Sequence, residues 1–407
     1  MSRILFAWEL GAGYGHMSGF LPVALKLRER GHEVLFALKE LAHAEEVIGR
    51  HGFDFLQAPV CSAPPGNFPA PNSYAEILRN CGFWSTGELL SRVKAWRKLY
   101  ELTSPDLLVV DHAPTALLAG HGLQIPKVLY GLGFFSPPRI MPLPNLRPWL
   151  PVPERHLVES EKQVLLIIND VLSHLDVPAL HMLADLFDVE EDVLCTFPEF
   201  DHYQNRGQAR YWGPRLNTQQ GEEPVWPGGE SPRIFAYLHG NYGQLESLLG
   251  ELRKVPGRFL VHVNGAAAGL NRRHQSANVR LTDRPVDLSR AFQQCDMVIG
   301  HGGQGTTVAA LLAGRPVLLL PMHLEQFLAS KSIPQYQAGI VVHPEQKRPA
   351  FRKLIKQVID DTRLKEGARR FAEKYAHFNV EERDEGIVKR FEEIVSVSPC
   401  DDGSVDR

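Results

Sequence analysis

A chain of 407 residues is long enough for two domains of ordinary size, and 44% apolar against 22% charged residues is the balance of a soluble globular protein. Its 44 basic and 47 acidic residues leave a formal charge of −3, so there is no electrostatic case for a nucleic-acid partner. The five cysteines, Cys61, Cys81, Cys195, Cys295 and Cys400, are odd in number and lack paired metal-ligand spacing; neither a disulfide framework nor a zinc site is indicated, and a reducing cytoplasm fits best.

The amino terminus, MSRILFAWELGAG, reads as a strand entering a glycine loop, without the apolar stretch of about 7 to 15 residues that marks a signal peptide. No apolar run reaches about 18 residues, so no membrane-spanning helix is expected. The loop GAGYGHMSGFLP places Gly11, Gly13, Gly15 and His16 before a helix over 22–31. A dinucleotide fingerprint fits it weakly, since His16 fills the third glycine position. Two readings of His16 remain: a structural residue near a helix start, or a general base that removes a hydroxyl proton near neutral pH.

Apolar runs over 3–8, 33–38, 54–58, 106–111 and 127–132 alternate with helical patterns, which implies a parallel sheet. Within the first half, RVKAWRK sets cations around Trp96; this is a solvated helix face or a patch for peripheral contact with a membrane surface. DLLVVDHAPTA ends a strand at Asp111, whose carboxylate serves either to orient His16 or to cap the helix that Pro114 begins. The stretch 133–153 contains seven prolines with Phe134, Phe135 and Trp149, so it is a long structured loop, suited to an apolar acceptor pocket or to a rigid connector. A helix is expected over 156–174.

The first domain is expected to end near 215, followed by a Gly/Pro-rich linker over 216–231 and a second domain over 232–380. Its strands are read at 233–238, 258–263, 279–282, 297–300, 317–320 and 339–342, giving an α/β protein of two doubly wound Rossmann-like parallel-sheet domains. Helices are expected over 350–358, 364–376 and 382–395, and a disordered tail over 397–407.

The segment HGGQGTTVAALLAGRPVLLLPMHLEQ, 301–326, sets a glycine-rich turn between a buried strand and a helix over 306–313. Unpaired amides and the helix dipole there suit a diphosphate. Glu325 and Gln326 lie beyond the next strand's carboxyl end, where open α/β sheets hold ligands.

These features together resemble the family 1, UDP-glycosyltransferase-like nucleotide-sugar glycosyltransferases of bacterial type. The shared motifs are GYGHMSGFLP, KLRERGHEV, LLVVDHAP and the 301–326 segment. The resemblance implies a GT-B architecture with an acceptor-binding first domain, a donor-binding second domain, a cleft between them, and a last helix over 381–396 packing back on the first domain. It implies His16 as catalytic base and Asp111 as its partner. His301, Gly302, Gly303, Gly305 and Thr306 would hold the donor diphosphate, and Glu325 and Gln326 the donor sugar. Arg284, Pro285 and Val286 would form the nucleobase loop, with Gly15, Gly240 and Asn241 as further residues of the site.

The reaction implied is an inverting transfer from a UDP- or dTDP-linked sugar to the hydroxyl of a small apolar or lipidic acceptor, with no metal or other cofactor. Two departures fall on donor positions. Ala309 stands where the family commonly has a ribose-binding glutamate, and LHGN, with His239 and Asn241, replaces a hydroxyl-bearing turn. A nucleotide-sugar-binding protein without catalysis and a sugar-nucleotide epimerase of the same architecture are the alternatives.

Overall fold

The computed structural model describes residues 1–11, 15–61, 68–203, 206–216 and 221–397, and places them in two units. The first comprises Met1–Thr196, Tyr203–Gly213 and Val380–Arg407; the second comprises Phe197–His202 and Pro214–Asn379. Among the described residues, no helix is long and apolar enough to cross a membrane.

The first unit carries strands β1 (Arg3–Trp8), β2 (Glu33–Leu38), β3 (Asp54–Gln57), β4 (Leu107–Asp111), β5 (Lys127–Gly131) and β6 (Glu191–Leu194). All run parallel, in the order β3-β2-β1-β4-β5-β6. The central strands β1 and β4 are buried on both faces, which is why they read as unbroken apolar runs rather than alternating ones. Strand β6, EDVL, was not expected: only four residues long and opening on two carboxylates, it is an edge strand without a hydrophobic signature.

Helix Gly15–Glu29 begins seven residues ahead of the expected span and contains Pro22. Trp96 lies in helix Thr86–Thr103 with its ring fully buried, and Arg92 is buried too, donating to the Gly82 carbonyl. The RVKAWRK run is therefore partly core, and Trp96 cannot anchor a surface. The proline-rich stretch 133–153 contains neither helix nor strand, and Phe134, Phe135, Leu143 and Leu146 are buried. Helix Val380–Val397 belongs to this unit: Ile387, Val388 and Phe391 share a core with Phe6, Phe20 and Tyr130. Lys26 and Arg30 pair with Glu385 and Glu392 along its flank.

The second unit repeats the design with β7 (Arg233–His239), β8 (Arg258–Asn264), β9 (Val279–Thr282), β10 (Met297–Gly300), β11 (Val317–Leu319) and β12 (Gly339–Val341). Their order is β12-β11-β10-β7-β8-β9, again parallel. Residues 217–220 of the expected linker lie outside the described residues. The rest is anchored to this unit, since Glu222 exchanges backbone bonds with Pro285 and Asp287, and the Trp226 indole donates to Gln294. Phe197 and Phe200, placed by the sequence reading in the first domain, pack against Phe371 in this core. The expected tail, 397–407, falls almost wholly outside the described residues.

In each sheet the chain first builds one side and then reverses to build the other. The reversal leaves a crevice between β1 and β4 in the first unit and between β7 and β10 in the second. Ligands of doubly wound sheets bind at such points, beyond the carboxyl ends of the strands.

Candidate functional site

In the first unit, the start of helix Gly15–Glu29 delivers His16 and the end of β4 delivers Asp111, on either side of the crevice. His16 Nδ1 stands 3.1 Å from Asp111 Oδ1, with the imidazole 18% exposed and the carboxylate at 0%. The distance is that of an ion pair, although the ring N–H is not aligned on that oxygen as a regular hydrogen bond. Asp111 does not cap the following helix: Pro114–Gly120 starts after Ala113, which offers no side-chain cap.

His16 is held from several sides. The Trp8 indole stacks on it with ring centroids 5.1 Å apart and planes 16° apart. Gly11 closes the turn at φ +87°, where a Cβ would lie 2.6 Å from His16 Nε2, so only glycine fits. Gly15 starts the helix and is exposed, while Gly13 lies outside the described residues. Phe135, from the proline-rich loop, lies 6.4 Å from the His16 ring and stacks on His112 at 4.8 Å. His112, at φ +49°, is pushed down to about 3 by burial and by the His16 charge beside it, so it stays neutral.

In the second unit, His301 follows β10 and is 5% exposed. Its Nδ1 lies 2.8 Å from the Leu320 carbonyl, and its Nε2 accepts from the His239 amide at 3.0 Å. These bonds assign the proton to Nδ1, and burial pushes the ring down to about 4. His301 thus braces the ends of β7, β10 and β11 as a neutral ring.

Gly302 takes φ +79°, and a Cβ there would lie 3.1 Å from both the Gln326 carbonyl and Ser330 Oγ. Helix Gln304–Leu312 follows Gly303 without a side-chain cap, so the leading amides, including those of Gly305 and Thr306, lack acceptors within the helix. They form the positive end of its dipole. A cavity between the strand ends is lined by Tyr237, His239, His301, Gly302, Gly303, Thr306, Thr307 and Gln326, among others.

Gln326 turns its side-chain carbonyl to the Met322 amide at 2.9 Å, while Glu325 lies in the first turn of helix Leu324–Ser330. Gly240 donates its amide to Asn264. Gly240, Asn241, Gly305 and Glu325 do not line the cavity, nor do Arg284, Pro285 and Val286. Arg284 is ion-paired with Glu222 at 2.6 Å, and Val286 is buried in the core. Ala309, on the same helix as Thr306, is partly buried.

Sequence reasoning missed Tyr237, Thr307, Trp8 and Glu9. Thr307 and Glu9 carried a readable signal, the first as the second hydroxyl of GQGTT and the second as a charge directly after a buried strand. Glu9 is fully buried, and Thr115 donates both its amide, at 2.9 Å, and its hydroxyl to it.

Residues 246–393 match the family described as erythromycin biosynthesis protein CIII-like, C-terminal domain. The chain is 25% identical to the PGL/p-HBAD biosynthesis glycosyltransferase of Mycobacterium tuberculosis, over 92% of its own length and 88% of that protein's. It is also 25% identical to the zeaxanthin glucosyltransferase of Pseudescherichia vulneris, over 77% and 80% of the two chains. Among solved structures, the spinosyn rhamnosyltransferase SpnG complexed with thymidine diphosphate superposes with a TM-score of 0.64 at 19% identity, covering 96% of this chain and 100% of that one.

Proposed function

We propose that this chain, a bacterial-type family 1 glycosyltransferase of the GT-B fold, moves a sugar from a UDP- or dTDP-linked donor to the hydroxyl of a small apolar or lipidic acceptor, with inversion at the anomeric carbon. The observation that carries the reading is the His16–Asp111 pair. With Nδ1 beside a fully buried carboxylate, Nε2 is left to face the acceptor.

The acceptor proton passes to His16 Nε2 as its oxygen bonds to the anomeric carbon. The bond from that carbon to the diphosphate breaks, and its electron pair leaves with the nucleoside diphosphate. Asp111 stabilises the imidazolium. The leaving charge is met by the amides of Gly303, Gly305 and Thr306 and by the Thr306 hydroxyl, and the scheme calls on no metal. His301 supports this cradle from behind rather than by its charge.

A dTDP donor is supported by Ala309, which removes the carboxylate that the resemblance assigns to ribose, and by the thymidine diphosphate of the spinosyn enzyme. An apolar acceptor is supported by Phe135 beside His16 and by the zeaxanthin of the relative's name. Glu325 and Gln326 are assigned to the donor sugar, and the 284–286 loop to the nucleobase, on the resemblance alone. The thiols of Cys81 and Cys295, which form no disulfide, favour a cytoplasmic setting.

The test is transfer from UDP-glucose and dTDP-glucose to a panel of hydroxylated aromatic and polyene acceptors, alongside calorimetric titration with UDP, dTDP and GDP. His16→Ala is expected to lower turnover by about 10²- to 10⁴-fold with nucleotide binding intact. Failure of all three nucleotides to bind would sink the assignment. Binding without turnover on any acceptor identifies a non-catalytic binder, and interconversion of the sugar nucleotide without acceptor identifies an epimerase.

A further inference from the structure

The helix Pro114–Gly120 starts three residues after Asp111 and has an alanine, Ala113, at its N-cap. Ala cannot satisfy the leading amides, and Pro114 has none to offer. The first free amide, that of Thr115, goes to the Glu9 carboxylate at 2.9 Å, which also accepts the Thr115 hydroxyl. Glu9 is therefore a cap supplied from just beyond β1, 106 residues away.

The neighbouring bonds run between the same two segments. The Leu10 amide donates to the His112 carbonyl at 2.8 Å, and the Trp8 indole, stacked on His16, donates to the Leu10 carbonyl at 2.6 Å. Trp8, Glu9 and Leu10 thus join the end of β1, whose Trp8 ring stacks on His16, to the segment 111–115. Between Asp111 and the capped Thr115 amide lie only His112, Ala113 and Pro114, so the backbone that presents the carboxylate is fixed by the pairing of Trp8 with Asp111 at one end and by the Glu9 bonds at the other.

We propose that Glu9 is a positioning residue for the reaction. By clamping the start of helix Pro114–Gly120 through Thr115, it holds Asp111 against His16 Nδ1 and so keeps the base nitrogen, Nε2, free of its proton. The inference rests on the reading of His16 and Asp111 as base and partner. Glu9 touches neither substrate nor His16 and acts only through the clamp.

The full-length protein labelled with ¹⁵N-histidine gives a readout that needs no turnover: imidazole nitrogen shifts report which tautomer the neutral His16 ring adopts, with His16→Gln assigning the signals. In the unaltered protein the Nδ1–H form is expected to exceed the Nε2–H form by about fivefold or more. Glu9→Ala is expected to lower that ratio to about one or below. Glu9→Gln restores it, because the amide oxygen can accept from the Thr115 amide while its NH₂ donates to the Thr115 hydroxyl.

Thr115→Val, which removes only the hydroxyl, is expected to fall between the two and serves if Glu9→Ala does not fold. An unchanged ratio in Glu9→Ala, or in Thr115→Val where that variant stands in, overturns the proposal. So does a Glu9→Gln protein that behaves like Glu9→Ala. Loss of the reaction assignment through absent nucleotide binding leaves the tautomer ratio readable, so the two failures are distinguishable.

Discussion

The backbone amide of His239 donates to Nε2 of His301 at 3.0 Å, which ties the end of β7 to the end of β10 through a buried side chain. With Nδ1 committed to the Leu320 carbonyl, the ring has two protein partners and is held neutral. Substituting His301 with Ala leaves the His239 amide and the Leu320 carbonyl without their partner. The expected cost is about 1 to 3 kcal/mol per group that stays buried, read by urea denaturation. Nucleotide affinity measured by calorimetry is expected to fall as the turn loosens.

The same ring gives a pH signature. Its value in the folded protein, about 4, lies below the ordinary 6.5, so the unfolded chain binds the proton first. The stability it contributes is present above pH 6.5 and is lost as the pH falls from there toward 4, by up to about 3 kcal/mol. Stability curves recorded at several pH values are expected to decline on acidification, and His301→Gln should flatten part of that decline. His112, pushed down to about 3, adds to the same acid limb.

Glu9 works in the opposite direction. Burial raises its carboxyl from 4.5 to about 7 against the Thr115 bonds and the Arg92 charge that lower it. Cys81 and the phenols of Tyr74 and Tyr100 are coupled to it as well. The raised value makes its contribution complete below pH 4.5 and lost as pH rises through 7. Relative to the unaltered protein, Glu9→Gln is expected to gain about 3 kcal/mol between pH 4.5 and 8, measured as the difference between paired denaturation curves. A difference that does not change with pH would show that Glu9 is ionised throughout.

Ala309 carries the question of donor choice. A carboxylate there, bonded to ribose hydroxyls, is worth about 1.5 to 3 kcal/mol, or ten- to a hundredfold in affinity. Ala309→Glu is expected to strengthen UDP binding by that factor and to leave dTDP, which lacks the 2′-hydroxyl, gaining less. Calorimetric titration of both nucleotides against both proteins decides it, and equal gains would remove Ala309 as the filter.

Gly302→Ala tests the turn itself. The residue would be forced to φ +79° with its Cβ 3.1 Å from a backbone carbonyl and a hydroxyl. The left-handed conformation alone costs about 1 to 2 kcal/mol. Reduced thermal stability and at least tenfold weaker nucleotide binding are expected together.

Eleven of the twelve strands among the described residues could be read from the sequence, the inner ones because buried parallel strands announce themselves as apolar runs, whereas the strand order, and with it the two switch points, came only from the fold. Strand β6 escaped because half of its four residues are the carboxylates Glu191 and Asp192, whereas the equally short edge strand β3 still shows Phe55 and Leu56 side by side. The local capping rules point to Asp111 for helix Pro114–Gly120, whereas the cap is Glu9, a partner that only the tertiary fold brings near. Trp96 carried the same ambiguity in reverse: its basic neighbours suggested a surface, and helix Thr86–Thr103 turns the ring inward. The nitrogen partners of His301 depend on three strand ends meeting, which no linear pattern encodes.

The membership of helix Val380–Val397 in the first unit has a consequence for synthesis and for engineering. A ribosome finishes every strand of the second unit before it releases Phe391 and Ile394, so the first unit, though begun first, is the last to complete its core. A chimera made at one junction near residue 214 would separate β1 and its neighbours from the helix that seals them. Exchange of the segment Pro214–Asn379 therefore needs two junctions, the second just before Val380.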